Sequence, residues 1–235
     1  MIASRDVQAV TFDAGQTLVE LDTAMLSQRL AERGVAVEAA ALDAAAPEAW
    51  QRYDRLVAGG ALHPWKRFMA ALLERAAPAL AAPPREALVD WLWSEQPARN
   101  LWRRPVPGMV ELAGELAAAG VQVGVISNSE GQLAALFDEI GWSGRFTIIA
   151  DSGRLGIEKP DLRIFAWACQ QLGVEPGAVV HIGDSRAADV DGAIAAGMRA
   201  IWFGPAVLPL SGDRVRACRD AGEVRAALRG WNVPL

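Results

Sequence analysis

The chain has 235 residues, 52% of them hydrophobic and 22% charged, with a formal net charge of -5 at pH 7. Those proportions suit an ordinary globular protein with room for one large domain or a domain carrying a sizeable insert. The acidic balance offers no electrostatic footing for nucleic acid or an anionic membrane, and no apolar run approaches the roughly 20 residues that a membrane-spanning helix needs.

Residues 1–13 lack the charged, then apolar, then small-residue plan of a secretory signal, so the expected compartment is cytoplasmic. Two cysteines, Cys169 and Cys218, make no disulfide framework. Cys169 falls in a helical pattern and packs there as a small hydrophobe. Nothing in the composition reports an oligomeric state.

In chain order, the first predicted element is a strand over 7–12. It ends at Asp13, followed by Ala14, Gly15, Gln16 and Thr17. A carboxylate at the carboxyl end of a buried strand lies where open α/β sheets place their chemistry, and the small residues after it let the backbone close around a ligand. Residues 20–104 are rich in Ala, Leu, Arg and Trp, with helical periodicity and no good strand candidate. Helices are expected over 22–33, 47–57, 65–80 and 84–94, broken by Gly34, Gly59-Gly60 and Pro83-Pro84. Five of the nine tryptophans lie in this stretch, and rings so grouped predict the core of a helical bundle, with one or two facing a pocket as the sharper alternative. An all-helical insert emerging after the first strand would act as a lid over the carboxyl edge of the sheet.

From about residue 105 strands and helices alternate. Strands are predicted over 121–127, 147–150, 178–183 and 200–203, and helices over 109–119, 131–140, 161–172 and 189–196. Continuous apolar strands alternating with helices predict a parallel sheet covered on both faces. Pro107-Gly108 opens one helix that Gly120 closes, while Gly173 and Gly197 close two others. The expected fold class is therefore α/β, a three-layer α/β/α core of residues 1–19 and 105–235, with a helical insert over 20–104.

Four elements at predicted strand ends, or in loops beside them, carry the chemistry. They are Asp13 with Gly15 and Thr17; Ser127-Asn128; Lys159-Pro160; and Gly183-Asp184-Ser185 with Asp189. In a parallel sheet such ends share one edge, so these side chains should converge. A carboxylate can attack an electrophilic phosphorus as a covalent nucleophile. Asp13 and Asp184 with a backbone carbonyl suit Mg²⁺, which binds through one or two carboxylates and retains waters. The Ser127 hydroxyl and neighbouring backbone N–H groups can grip phosphate oxygens, and Lys159 supplies a positive charge for the transferring group.

The pattern resembles the haloacid dehalogenase-like hydrolase superfamily, in its phosphatase-type branch with a helical cap inserted after the first motif. The residues carrying the resemblance are Phe12-Asp13-Ala14-Gly15-Gln16-Thr17-Leu18, Ile126-Ser127-Asn128, Gly156-Ile157-Glu158-Lys159-Pro160-Asp161 and His181-Ile182-Gly183-Asp184-Ser185, running on to Asp189-Val190-Asp191-Gly192-Ala193 and Ala196-Gly197-Met198. The resemblance implies a Rossmann-like core in which Asp13 is the nucleophile and Lys159 stabilises charge. It implies phosphate binding at Ala14, Gly15, Ser127, Asn128 and Lys159. Mg²⁺ would be held by Asp13, the carbonyl of Gly15 and Asp184, with Asp189 ordering the metal's surroundings and Thr17 bracing the loop. The implied reaction is Mg²⁺-dependent hydrolysis of a small phosphorylated metabolite through an aspartyl-phosphate.

One position departs from that pattern. Phosphatases of the family usually carry a second aspartate two residues after the nucleophile, as acid and base, and Gly15 occupies that place. Such assistance is worth on the order of 10²–10⁴ in rate. Three readings follow: a phosphatase with weakened turnover, in which Gln16 or a cap residue positions the water; a silent relative that binds a phosphorylated ligand or protein partner; and, a distant third, a dehalogenase, which Asp184 and Asp189 argue against. His181 reads as a packed or hydrogen-bonded strand residue. His63 reads as a cap-loop residue with substrate contact as the sharper alternative. Arg99, Arg103 and Arg104 read as a solvated linker, or as a contact for an anionic substrate, and Glu158 as a surface charge.

Overall fold

Strand β1 (Ala9–Phe12) is buried at every position, as a strand covered on both faces must be, and it delivers Asp13 to its carboxyl end. The chain turns through the short strand β2 (Val19–Leu21) into four helices, α1 (Thr23–Ala31), α2 (Ala39–Ala58), α3 (Trp65–Ala76) and α4 (Ala82–Glu95). It leaves them through β3 (Trp102–Pro105), which pairs with β2 in a two-stranded sheet. Then come α5 (Met109–Ala118), β4 (Gln122–Ser127), α6 (Leu133–Glu139), β5 (Ile148–Asp151), α7 (Ser152–Leu155), α8 (Leu162–Leu172), β6 (Val179–Gly183), α9 (Gly192–Ala195), β7 (Arg199–Phe203), β8 (Val215–Cys218) and α10 (Ala221–Arg229). This computed structural model describes residues 7–61, 64–204, 210 and 212–235. Its contacts divide the chain into two compact units, Met1–Glu20 with Arg103–Leu235, and Leu21–Trp102.

The first unit is built on a six-stranded sheet of order β5-β4-β1-β6-β7-β8. Every adjacent pair in it runs parallel. β1 therefore lies at the point where the order reverses, between β4 and β6, the position at which open α/β sheets place their chemistry, at the carboxyl ends of the strands. Phe12 is in register with Val125 and with Ile182, so Asp13, Ile126–Ser127 and Gly183–Asp184 emerge side by side. Helices flank the sheet: α8 packs on β4 and β5, α9 on β7, and α10 on β8. Cys169 is buried in α8 and Cys218 ends β8, and burial pushes both thiols up to about 11, which leaves them as inert packing groups.

The second unit has its own core, centred on Leu26, Leu30, Leu42, Phe68, Met69, Leu72 and Leu92. Its tryptophans join that core. Trp50 lies 4.2 Å from Phe68, Trp65 lies 5.3 Å from Trp93 and 6.0 Å from Trp102, all centroid to centroid. The Trp91 ring takes the guanidinium groups of Arg29 and Arg33 at 4.8 and 4.3 Å. Arg29 is fully buried, and its one side-chain hydrogen bond runs to the Arg99 carbonyl at 3.0 Å.

Several expected boundaries move. α2 begins at Ala39 rather than 47 and runs through Pro47. The alanine-rich segment before the proline is a strong helix former, and Leu42 and Ala45 gain full burial there. α3 stops at Ala76, ahead of Pro78. The expectation of no strand within 20–104 is overturned, because β2 and β3 are three- and four-residue strands too short for an alternation pattern. β8 and α10 were not anticipated either. The helix expected over 189–196 opens instead as a π-helical turn, Arg186–Asp191, before α9. Arg99 is held by Glu32 at 2.7 Å, Arg103 by Glu139 at 2.7 Å and Arg104 by Glu20 at 3.0 Å, so all three carry carboxylate partners of this chain. His63 lies outside the described residues. Among the described residues, no helix is long and apolar enough to cross a membrane.

Leu72 is fully buried on α3, which packs between α2 and α4. Leu72→Ala should destabilise the protein by about 2–5 kcal/mol through lost transfer energy and a residual cavity. Urea unfolding followed by tryptophan fluorescence reads this directly, since Leu72 and the tryptophans of this unit share one core.

Candidate active site

Lys159 precedes α8, is 3% exposed and spends all three of its protons. Its Nζ donates to Asp13 Oδ1 at 2.6 Å, to Asp189 Oδ1 at 2.5 Å and to the Ile126 carbonyl at 2.7 Å. Burial works against the ammonium, but the two carboxylates, Asp13 foremost, outweigh it and hold the pKa above that of an ordinary lysine. Lys159 is therefore a permanent cation.

The backbone of Lys159 is clasped by Asn128, whose Oδ1 accepts from the Lys159 N–H at 2.8 Å while its Nδ2 donates to the Lys159 carbonyl at 3.0 Å. The Asn128 carboxamide is thus committed to positioning the lysine. For the phosphate contacts expected at Asn128, its backbone N–H and the second carboxamide N–H are left to offer.

The two carboxylates that share the lysine differ. Asp189 Oδ1 also accepts from His181 Nε2 at 3.1 Å, and its Oδ2 accepts from the Ser185 N–H at 2.9 Å. Burial alone would raise its pKa, but the Lys159 charge and the His181 hydrogen bond hold it well below the usual carboxylate range. Asp13 moves the other way: burial raises its pKa, Lys159 offsets only part of this, and the Asp189 charge adds to the rise. Asp184 is half-buried, and its pKa is pushed well above the ordinary value by burial and by the charges of Asp13 and Asp189.

One oxygen from each of Asp13, Asp184 and Asp189 lies within 4.8 Å of the others, an acidic cluster that could hold a metal ion. All-oxygen donors of this kind suit a hard divalent cation. Such a charge would relieve the like-charge crowding that raises Asp13 and Asp184. Most of Asp189's capacity is already taken by Lys159, His181 and Ser185, so Asp13 and Asp184 are the better direct ligands.

The loop after Asp13 folds back on its own carbonyl. Ala14 C=O accepts from the N–H groups of Leu18 and Val19, both at 2.9 Å. Gly15 forms a parallel bridge with Val19, and Gln16 follows with a left-handed φ of 56°. Thr17 is fully buried beside this loop, and its hydroxyl has no hydrogen-bond partner among the described residues. The Gln16 amide nitrogen is likewise buried without a partner.

Several contributors escaped the sequence reading. Ser127 pairs in register with Asp151, whose carboxylate accepts from the N–H groups of Gly131, Leu133 and Gly153, each at 3.0 Å. Ser152 Oγ engages both the N–H and the carbonyl of Ser129. Asp151 and Ser152 thereby fix the loop that follows Ser127, and the predicted strand over 147–150 stopped one residue short of the first of them. A Cβ at Gly153 would fall 2.5–2.7 Å from the backbone of residues 129–131, so that position requires glycine. Trp202 Nε1 donates to the Asp184 carbonyl at 2.9 Å, anchoring the Asp184 backbone from β7.

A parallel sheet flanked by helices, with its acidic and basic groups at the switch point, places the chain among Rossmann-like α/β proteins. The HAD-hydrolase YfnB from Bacillus subtilis, described bound to magnesium, shares this fold with a TM-score of 0.69 over 95% of this chain and 99% of that one, at 18% identity. The family model for haloacid dehalogenase-like hydrolases matches residues 7–197, and the chain belongs to that family. It is 37% identical over 79 residues to mouse haloacid dehalogenase-like hydrolase domain-containing protein 3, covering 34% of this chain and 32% of that protein. It is 39% identical over 69 residues to phosphoserine phosphatase of Thermus thermophilus, covering 29% of this chain and 28% of that enzyme. The aligned region thus spans about a third of each of these relatives, as those shares state.

A Cβ on Gly183 would land on the Asp189 carboxylate, whereas one on Gly177 meets nothing within 4 Å. Gly183→Ala should therefore cost about 1–3 kcal/mol through overpacking, and Gly177→Ala should be neutral or slightly stabilising. Paired chemical denaturation curves distinguish the two.

Proposed function

We propose that this protein is a Mg²⁺-dependent phosphatase acting through an aspartyl-phosphate on a small phosphorylated metabolite. The observation that carries the reading is a buried lysine bridging Asp13 and Asp189 beside Asp184, at the switch point of a parallel sheet. Family membership and a relative named as a phosphatase support it. In this reading an Asp13 oxygen attacks phosphorus, the P–O bond to the leaving group breaks, and the leaving oxygen takes its proton from water. A water oxygen then attacks the same phosphorus, releasing inorganic phosphate and restoring the Asp13 carboxylate.

Lys159 holds Asp13 in place and offsets charge on the transferring group. The Ser127 hydroxyl and the N–H groups of Ala14, Gly15 and Asn128 receive phosphate oxygens. Asp13, Asp184 and the Gly15 carbonyl would hold Mg²⁺, with Asp189 ordering its surroundings, and the ion would supply Lewis acidity there. The helical unit Leu21–Trp102 serves as the cap that selects the substrate.

Gly15 gives this active site its particular character. With no carboxylic acid there to protonate the leaving oxygen, substrates whose leaving groups are already weak bases are favoured. The same glycine supports a second reading, a family member that binds a phosphorylated ligand without turning it over.

Purified protein with Mg²⁺ should release phosphate from an aryl or acyl phosphate, and both EDTA and Asp13→Asn should reduce release to background. Gly15→Asp should raise turnover of alkyl phosphates by up to about 10²–10⁴. Activity that survives in Asp13→Asn would sink the mechanism. An inactive wild type that still binds Mg²⁺ would favour the silent reading.

Metal binding has a test that needs no turnover. The raised pKa of Asp184 means that its charged form is disfavoured in the folded chain. Stability is therefore lost as pH climbs from the ordinary carboxylate range through that raised value, and the cost is fully present above it. Asp184→Asn should melt higher than wild type in metal-free buffer at neutral pH. Mg²⁺ should raise the melting temperature of wild type and leave the variant unmoved.

A further inference from the structure

The least explained polar group near the site is the imidazole of His181, in the middle of β6. It is fully buried, and both of its nitrogens are engaged. Nδ1 lies 2.9 Å from Thr11 Oγ1, and Nε2 lies 3.1 Å from Asp189 Oδ1. Thr11 and His181 are register partners on adjacent parallel strands, so their side chains stand on the same face of the sheet. Asp13 and Gly183, two residues further along each strand, share that face. The edge of the ring meets Phe165 of α8, centroids 5.5 Å apart and planes at 84°, which closes the remaining side with hydrocarbon.

Asp189 Oδ1 is a carboxylate oxygen and can only accept, so Nε2 must carry the proton that lies between them. Nδ1 of a neutral ring is then an acceptor, and the Thr11 hydroxyl is the donor that satisfies it. The order of donors is fixed along the chain: Thr11 O–H to Nδ1, Nε2–H to Asp189 Oδ1, and Lys159 Nζ–H to that same oxygen. Gly183, with no Cβ, lets the Asp189 carboxylate approach the strand closely enough to meet both donors.

We infer that Thr11 and His181 form a positioning device for the lysine. Asp189 sets the imidazole tautomer and Thr11 satisfies the ring nitrogen left without a proton; the imidazole so held fixes the plane of the Asp189 carboxylate, and that carboxylate sets where the Lys159 ammonium sits relative to Asp13. Neither residue touches substrate. Their effect is exerted through the 2.5 Å contact of Asp189 with Lys159 and the 2.6 Å contact of Lys159 with Asp13. A second donor on Oδ1 keeps the carboxylate from swinging toward the ammonium and drawing it away from Asp13. The kinetic consequence rests on the hydrolase reading above, whereas the tautomer and the lysine geometry do not.

The test has a spectroscopic arm and a kinetic arm. The chain has only two histidines, so a ¹⁵N-imidazole spectrum is assigned with a single His63→Gln variant. At neutral pH wild type should show His181 as the Nε2–H tautomer with an acceptor-type Nδ1 signal, and Thr11→Val should weaken that preference. The Lys159 ¹⁵Nζ resonance should shift in His181→Phe and return toward its wild-type position in His181→Gln, whose amide N–H reaches the same oxygen.

With an aryl phosphate and Mg²⁺, His181→Phe should lower kcat by about 10–100-fold, the range typical of residues that orient site groups. KM should stay nearly unchanged, His181→Gln should recover most of the loss, and Thr11→Val should show a smaller one. A wild-type Nδ1–H tautomer overturns the inference, as does a folded His181→Phe with an unmoved Lys159 signal. Should His181→Phe fail to fold, the wild-type tautomer and Thr11→Val still decide. Should the wild type release no phosphate, the hydrolase reading fails while the two resonances still judge the positioning role.

Discussion

A single buried ammonium shared between two carboxylates organises this protein's chemical centre. Removing Lys159 from water is costly, and a buried ion pair recovers that cost only with close geometry and saturated hydrogen bonding. Both conditions are met, since the three Lys159 protons go to Asp13, Asp189 and the Ile126 carbonyl at 2.5–2.7 Å. The sharing is unequal. Asp189 has two further donors, His181 and Ser185, and is held firmly ionised, whereas Asp13 leans on the lysine and has a raised pKa. Burial and charge acting on two aspartates of the same type thus produce an anchor and a more readily perturbed group.

Hydrogen-bonding groups around the ion pair keep this arrangement in place. Asn128 clasps the backbone at Lys159, Trp202 ties down the Asp184 carbonyl, and Asp151 gathers three amides to set the loop beyond Ser127. Gly183 and Gly153 contribute by lacking a Cβ where a carboxylate and a loop backbone come close. Each of these residues sits at or beside a strand's carboxyl end, where the parallel register around β1 already brings the chain together.

Much of this organisation was readable as sequence. Strands β1, β4, β6 and β7 are short apolar runs between helical patterns, and their two-sided burial follows from that composition. What escaped were elements whose stability comes from partners distant in sequence. β2 and β3 are separated by eighty residues, and neither has a pattern of its own. α2 runs through Pro47 because burying Leu42 and Ala45 outweighs a locally unfavourable residue. Position alone likewise gave no sign that the Asn128 carboxamide clasps the Lys159 backbone.

The sequence by itself determined the α/β class, the helical character of the segment inserted after β1, and the set of ionisable residues at the strand ends. It also placed a glycine two residues beyond Asp13. These are properties of composition, period and order along the chain. Only the tertiary structure decided how one ammonium is divided between two aspartates, and that His181 and Thr11 stand behind Asp189. Those outcomes depend on distances of a few ångströms between groups as many as 170 positions apart, and on the loss of solvent that makes each hydrogen bond count.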